Sequence, residues 1–588
     1  MTAAAAITGG LAIWLVDPAR SGDAGLVTAM GPLYFVAVGL LVTAFVLALR
    51  ADHAPGWLLS AQLALLIVGI HGLPALVDAH PRFFSAYLHA GFTDYIFRHG
   101  AVDPLLDARM SWPGFFSAAA MIQRVAGLDS ALWFVRWFPV LITAAYLAPA
   151  SLLCRSMGAS RRARWIALWG VVSLNWVGQD YFSPQAFALL LYLCLVAVAL
   201  TVFPGVGVER RLPAPLRRFA RDGDAGPTSA LDPSSRVVVW CVLVLLVGAI
   251  AVSHQLTPFL LPGVLGALTV TGRLRVKSLA IIAAIMAIAW LSYGASEFWK
   301  GHLDLIFSGV GDVGGNVSAG LSKRAAAVSF PRQMMLDVRI AMAATLLIVA
   351  TIGFLRRLRR GAAHVAMLLL TFLPYLMVVA QPYGGETLLR STFFALVPGA
   401  CLGAFAIAPR RTDEPSPAAA RTKSTRRRLG AFAYFLIAVV AGAGLVVACV
   451  TARFGNERFE RVTTGEWDAM HWVYGHASAG DSIVTVSRNL SWRYEGLEIF
   501  HYLPAADEIY ADRLALLTHA VPASGSGFLV ITKSQAEFGT AIYGLRPGWL
   551  ESLERAVNGT GHFDLVFSEG DAHVYRFDMG VATTIGGR

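Results

Sequence analysis

Apolar stretches of roughly 17 to 22 residues, each long enough to carry a helix across ~30 Å of hydrocarbon, recur along the first three quarters of the chain. They fall near 29–49, 57–77, 131–154, 163–178, 184–203, 237–253, 256–272, 278–295, 339–355, 363–380, 391–408 and 429–451. A shorter apolar piece covers 3–16. Between the stretches, Arg and Lys gather at 155–164, 209–236, 273–277, 356–360 and 410–428. If the stretches simply alternate in direction, all these groups share one side, which the positive-inside rule makes the cytoplasm. The opposite side then holds 78–130, 179–183, the turn at 254, 296–338, 381–390 and everything after 452. With 3–16 spanning as well, the N-terminus is inside and the chain makes about thirteen crossings.

After 452 the pattern changes. Strand-like runs "SIVTVS", "GFLVIT", "FDLVFS" and "HVYRF" are separated by helical stretches such as "GEWDAMHWVYGHA" and "PGWLESLERAVN", the signature of a small α/β unit. The pattern divides the chain into an N-terminal membrane hairpin at 1–56, a transmembrane body at 57–451 and an outer α/β domain at 452–588. The 205–235 and 410–428 loops, rich in Pro, Gly, Asp and Arg, read as cytoplasmic linkers. No internal repeat is visible.

Composition agrees with the pattern and removes some function classes. Of 588 residues, 56% are hydrophobic and 14% charged, too apolar to be enclosed in water-soluble cores. The net charge of +11 resides mostly in short inter-span loops, so it reports topology and not a nucleic-acid surface. Cys154, Cys194, Cys241, Cys401 and Cys449 all lie in apolar segments, which suits packing and gives neither a disulfide framework nor a metal cluster.

The stretch "LVDAHPRFFSAYLHAGFTDYIFRHG", 76–100, is the first place where chemistry suggests itself. A span ends at Asp78 on the outer face. At helical spacing Phe84, Tyr87, Leu88, Phe92 and Tyr95 then share one side and His89 and Thr93 the other, so the helix is expected to lie along the membrane interface. A second aromatic helix begins at "SWPGFFSAAAMIQRV", with Ser111 and Pro113 at its start. Asp94, Asp103, Asp107 and Arg109 add polar groups at the same level. A lone carboxylate there can take a proton from an acceptor hydroxyl while a lipid phosphate departs as a stable anion, needing no strong acid.

An acidic residue closing a span, followed by an external loop of two interfacial helices, resembles the first external loop of the GT-C glycosyltransferases, polytopic enzymes that use polyprenyl-phosphate sugars. The resemblance, of the actinobacterial type, covers about 57–450 as a layout. It implies a polytopic α-helical membrane protein of about 12–13 spans with a small C-terminal extracytoplasmic α/β domain, in a bacterial plasma membrane. It also implies Asp78 as catalytic base, transfer with inversion, a polyprenyl-phosphate-linked donor among membrane lipids, and a cell-envelope glycan, lipid or protein as acceptor. Many relatives carry an Asp-Glu pair at this point; here the string is "DAHPR", with His80 beside the single carboxylate and Arg82 close by.

Other polar strings on the outer side complete the candidate set. "NWVGQDYFSPQAF" offers Gln179 and Asp180, with Ser183 as N-cap and Pro184 at the first helical position; "SHQLTPF" offers His254 and Gln255 with Thr257 and Pro258. In "QPYGGETLLR", Glu386 and Arg390 lie one helical turn apart, and Arg390 is the preferred phosphate partner because a guanidinium donates two parallel hydrogen bonds. Arg136, just inside its span, is a second choice. Lys323 and Arg324, in a Gly-rich external loop, add positive charge over a bound donor. The sequence points to no particular cofactor and leaves a divalent metal open. The competing class is a transporter or flippase of lipid-linked glycan, which calls for polar residues at mid-membrane; only His71 is placed there by this reading.

Overall fold

The structure, a computed structural model, describes residues 1–51, 53–205, 231–300, 312, 330–380, 386–408, 425–504 and 525–579. It is a multi-pass helical membrane protein with a small C-terminal sheet unit, the helical architecture the sequence implies.

Among the described residues, eight helices are long and apolar enough to cross a membrane: Pro32–Arg50 (α2), Leu132–Ser156 (α7), Pro184–Val202 (α9), Pro233–Ser253, Lys277–Gly294, Phe330–Leu358, Thr387–Ile407 and Gly430–Arg453 within the helix Thr425–Arg453. Four shorter apolar helices join them, Thr2–Trp14 (α1), Gly56–His71 (α3), Thr257–Val270 and Val365–Val379. The expected span at 57–77 is broken. Gly72 ends α3, and Pro74, which has no N–H to offer the preceding turn, starts a short second helix, Leu73–Val77 (α4). The helix at 163–178 is also shorter than expected, Arg161–Ser173 (α8), because Ser160 caps its start and the chain turns at Leu174.

Helix Thr387–Ile407 is the buried axis of the bundle, packed by α8 and by Phe330–Leu358. Small residues permit the approach: a Cβ on Gly353 would lie 1.9 Å from the Leu402 carbonyl oxygen. The two ends of the bundle differ in chemistry. At one end Arg50 donates to the Ala431 carbonyl (3.2 Å), Arg161 to that of Ala54, and Arg356 to that of Ala406 (2.6 Å). Helix Thr425–Arg453 runs 29 residues from there to Arg453, about 43 Å, and its far end meets Asp180.

Beyond Arg453 the chain forms a five-stranded sheet of order β2-β1-β3-β5-β4, with β1 Ser482–Thr485, β2 His501–Pro504, β3 Gly525–Thr532, β4 Phe563–Glu569 and β5 Ala572–Met579. The first three strands are parallel, and the last two antiparallel. Four strands fall on the expected runs. Strand β2 does not, being only "HYLP", too short to show a period-2 pattern. Helices Thr464–His476 and Trp549–Gly559 match expectation, and Lys533–Tyr543 is additional.

This unit rests on the 78–130 loop and changes what that loop is. Helix Phe84–His99 (α5) is not a one-sided interfacial helix: Tyr87, Leu88, Phe92, His89 and Thr93 are all buried, because α5 is covered by Gly114–Ala126 (α6) on one side and by the sheet unit on the other. His89 Nδ1–H donates to the Phe182 carbonyl (2.8 Å), satisfying its polar edge. At Gly91 a Cβ would lie 1.8 Å from the carbonyl oxygen of Arg493. Gly91→Ala is therefore expected to force the sheet unit off α5, costing about 1–3 kcal/mol, seen as a lower melting temperature and faster proteolysis within 453–579 than in the wild-type protein.

Candidate active site

Asp78 lies where α4 ends, its N–H donating to the Pro74 carbonyl (2.9 Å). Arg136, from the second turn of α7, points its guanidinium at that helix end. It donates to the carbonyls of Ala75 (3.0 and 2.8 Å), Asp78 (3.0 Å) and Ala79 (3.0 Å), filling acceptors that a helix C-terminus leaves unpaired. The Asp78 side chain is 2% exposed. Its Oδ1 accepts from Arg461 Nε at 2.7 Å, and its buried Oδ2 has no hydrogen-bond partner. Burial raises the Asp78 carboxyl above the usual carboxylate range, against the pull of Arg461, Arg82 and Arg136.

Four residues further on, Arg82 pairs with Glu457 (2.5 Å) and with Glu460, both from the turn after the last span. Phe83 follows with φ +77°, and its N–H donates to the Glu460 carbonyl (3.0 Å). The ring of Phe454 lies between two guanidinium groups, Arg82 and Arg453, each 5.4 Å from its centroid. Arg82, Arg136, Arg453 and Phe454 line a cavity with His71, Pro74, Ala75, Pro81 and Tyr181. Its enclosed part is about 30 Å³, enough for a water or two, and it widens to about 480 Å³ with its open mouth included.

Asp180 stands behind this wall, not in it. Its Oδ2 accepts from His71 Nδ1 (2.9 Å), Thr143 Oγ1 (3.1 Å) and Asn175 Nδ2 (3.0 Å), and its Oδ1 from Arg453 Nη2 (2.6 Å). Burial works to raise its carboxyl, but Arg453 and His71 overcome that and hold it below the usual range. With both oxygens hydrogen-bonded and the side chain fully buried, it anchors the cavity wall. His71, placed at mid-membrane by hydropathy alone, is the last residue of α3 and belongs to this same end.

The remaining candidates divide. Arg390 pairs with Glu386 (2.7 Å) and with Gln185, and lies near His254 and His89, forming a second polar group with none of the Asp78 partners in it. Tyr181 joins the two groups, lining the cavity and stacking on His89 at 5.7 Å. His254, not Thr257, caps the re-entering helix: its Nδ1 accepts from the Thr257 N–H (3.2 Å). Gln179 is buried, and its carbonyl accepts from Ser183 Oγ (3.4 Å). Gln255 is half-buried in the same turn as His254. Asp94 joins Arg98 (2.8 Å) and Glu498 at the rim, and Arg109 pairs with Asp107 (2.5 Å) over Phe92, so both are remote from Asp78 in their contacts. Lys323 and Arg324 lie outside the described residues. Among the described residues no group of three or more His, Cys, Asp or Glu is placed to hold a metal.

Four site residues were not foreseen from sequence: Arg453, Glu457, Glu460 and Arg461. The signal was the density of charge in "RFGNERFER" directly after the last span, on the side assigned to Asp78.

No family model matches this chain, and no curated protein matches it. Among solved structures it is similar to ArnT from Cupriavidus metallidurans bound to undecaprenyl phosphate, at 11% identity and TM-score 0.49, over 94% of this chain and 98% of that one. It is similar also to the archaeal oligosaccharyltransferase AglB from Archaeoglobus fulgidus, in complex with an inhibitory peptide and a dolichol-phosphate, at 10% identity and TM-score 0.47, over 89% and 72%. The apo state of the same ArnT gives 11% identity and TM-score 0.44, over 93% and 98%. Likenesses of this degree assign neither a substrate nor a residue's role.

Glu457 offers a test of the site's electrostatics. Burial pushes its carboxyl from the ordinary 4.5 up to about 8, against the attraction of Arg82. A carboxyl raised in the folded state contributes stability that is full below 4.5 and is lost as pH rises through about 8. The melting temperature is thus expected to fall between about pH 5 and about pH 8, and Glu457→Gln to flatten that fall in a pH series of thermal melts.

Proposed function

We propose that this protein is a glycosyltransferase acting on the outer face of a bacterial plasma membrane, moving a sugar from a polyprenyl-phosphate donor to a cell-envelope acceptor. The observation that carries the reading is Asp78: a buried carboxylate with one oxygen held by Arg461 and the other without a partner, beside a cavity edged by three guanidinium groups. In this reading the unpartnered oxygen takes the acceptor hydroxyl's proton as that oxygen attacks the anomeric carbon. The bond from that carbon to the phosphate oxygen breaks, and the polyprenyl phosphate leaves as an anion. A carboxyl raised by burial is a stronger base than an exposed one.

Arg136 replaces Arg390 as the preferred phosphate partner. The guanidinium of Arg82 is paired with Glu457 and Glu460 and that of Arg453 with Asp180, whereas the hydrogen bonds of Arg136 go to neutral carbonyls and leave its charge for an anion. The enclosed space admits waters only, so the sugar-phosphate head group belongs in the mouth, with the polyprenyl chain in lipid. Residues 57–451 then form the catalytic body and 452–588 an outer unit. The acceptor stays a glycan, lipid or protein hydroxyl. The alternative of a transporter rests on polar groups at mid-membrane, and His71, the residue read that way, is instead bound to Asp180 at the Asp78 end of the bundle.

The test is transfer from a panel of radiolabelled polyprenyl-phosphate sugars in membranes carrying the wild-type or Asp78→Asn protein. Wild type should transfer at least one sugar, and Asp78→Asn should lower that rate by about 10²–10⁴-fold at equal expression. Transfer unchanged by the substitution, or absent from wild type across the panel, removes the assignment.

A further inference from the structure

Asp78, Arg82 and Asp180 are each answered from one segment that runs from the last residue of the last span into the turn beyond it. Arg453 answers Asp180, Glu457 and Glu460 answer Arg82, and Arg461 answers Asp78. The first three pairings fix the wall. The fourth touches the carboxylate assigned as base.

We propose that Arg461, carried by the segment leading into the sheet unit, is the positioning residue for Asp78: its Nε–H holds Oδ1 and leaves Oδ2 as the atom that takes the proton. This rests on the reading given above. A carboxylate with both oxygens free rotates about its Cβ–Cγ bond, and each turn exchanges the reactive atom for the other. A directional N–H bond at 2.7 Å to one oxygen stops that exchange. A guanidinium does so better than an ammonium, whose three donors rotate freely.

Arg461 is not needed to hold the two surfaces together. The same surfaces are joined by Arg82 with Glu457 and Glu460, by the Phe83 N–H on the Glu460 carbonyl, by His80 stacked on Trp467 at 4.6 Å, and by Arg98 with Glu498 at 2.6 Å. With so many parallel ties, a merely structural Arg461 is dispensable. A positioning Arg461 is not.

Its removal also has an electrostatic signature. The groups facing Asp78 are Arg82 from its own loop, Arg136 from α7, Tyr87 from α5, Glu457 from the turn after the last span, and Arg461. Arg461 is the largest influence holding the carboxyl down, so losing its charge raises Asp78 and keeps the base protonated to higher pH.

The experiment compares kcat and KM for the donor against pH in full-length wild type, Arg461→Gln, Arg461→Lys and Asp78→Asn, with the polyprenyl-phosphate sugar that wild type accepts from the panel. Arg461→Gln should lower kcat about tenfold or more, leave KM within about twofold, and move the acid limb of the kcat profile up by about one pH unit or more. Arg461→Lys should keep the acid limb within a few tenths of wild type while kcat stays low. An inactive Asp78→Asn together with wild-type kcat and acid limb in Arg461→Gln overturns the inference and leaves the base assigned. An active Asp78→Asn instead removes the reading beneath it. A melting temperature lowered by more than about 5 °C in Arg461→Gln, with both stability and rate restored by Arg461→Lys, makes Arg461 a tether and also overturns the inference.

Discussion

Charge buried at the membrane surface must be paired, and that constraint shapes this end of the molecule. Removing a carboxylate or a guanidinium from water costs several kcal/mol per ion, and breaking a buried pair by losing one partner costs about 3–5 kcal/mol. Asp78, Arg82 and Asp180 come from the first half of the chain, and Arg453, Glu457, Glu460 and Arg461 from a nine-residue stretch hundreds of positions later. Neither group is tolerable without the other. The 78–130 loop and the segment after the last span therefore have one relative arrangement, and the cavity edged by Arg82, Arg136 and Arg453 takes its shape from it.

The two carboxylates nearest the cavity show how environment divides roles. Asp180 accepts from four donors and is held below the usual range; Asp78 accepts from one and is raised above it. Both are almost completely buried, so burial alone does not separate them. What separates them is that the charge of Arg453 and the hydrogen bonds from His71 and Arg453 outweigh burial at Asp180, whereas at Asp78 burial outweighs its arginines. A saturated carboxylate fixes its neighbours, and one with a spare lone pair has capacity for a proton. On this criterion Asp94 and Asp107 also fall to structural pairing, each tied to an arginine a few residues away.

The legible part of the fold was what periodicity encodes. Spans were visible because a run of apolar residues is its own evidence, and four strands because alternation is. Departures came where one or two residues redirect the chain, as Gly72 and Pro74 do between α3 and α4, or where a partner distant in sequence covers a face, as the sheet unit covers the Tyr87 and Gly91 side of α5. Asp78 was legible by position, at the end of a span. Its partner Arg461 was not, because a charge-dense stretch after a span reads as a solvated linker, and only three-dimensional contact shows that Arg453, Glu457 and Arg461 point inward. Arg390 stands in a different neighbourhood from Asp78: it pairs with Glu386 and Gln185 and lies near His254, groupings that spacing along the chain does not reveal.

The hydropathy boundary near 452 is consequently a boundary of environment and not of the site. Up to Arg453 the helix is built for lipid; from Phe454 the same backbone supplies the aromatic wall of the cavity, both acidic partners of Arg82, and the arginine on Asp78. Seven residues lie between Arg453 and Arg461, including one short turn of helix, Glu457–Glu460. That turn sets the spacing: it places Glu457 and Glu460 one helical step apart so both reach Arg82, then releases the chain in an extended conformation at Arg461. An insertion or deletion there would slide acids and arginine past their partners together, since one rigid turn carries them all. A unit that looks detachable by composition is thus fastened to the rest through the very groups the chemistry requires.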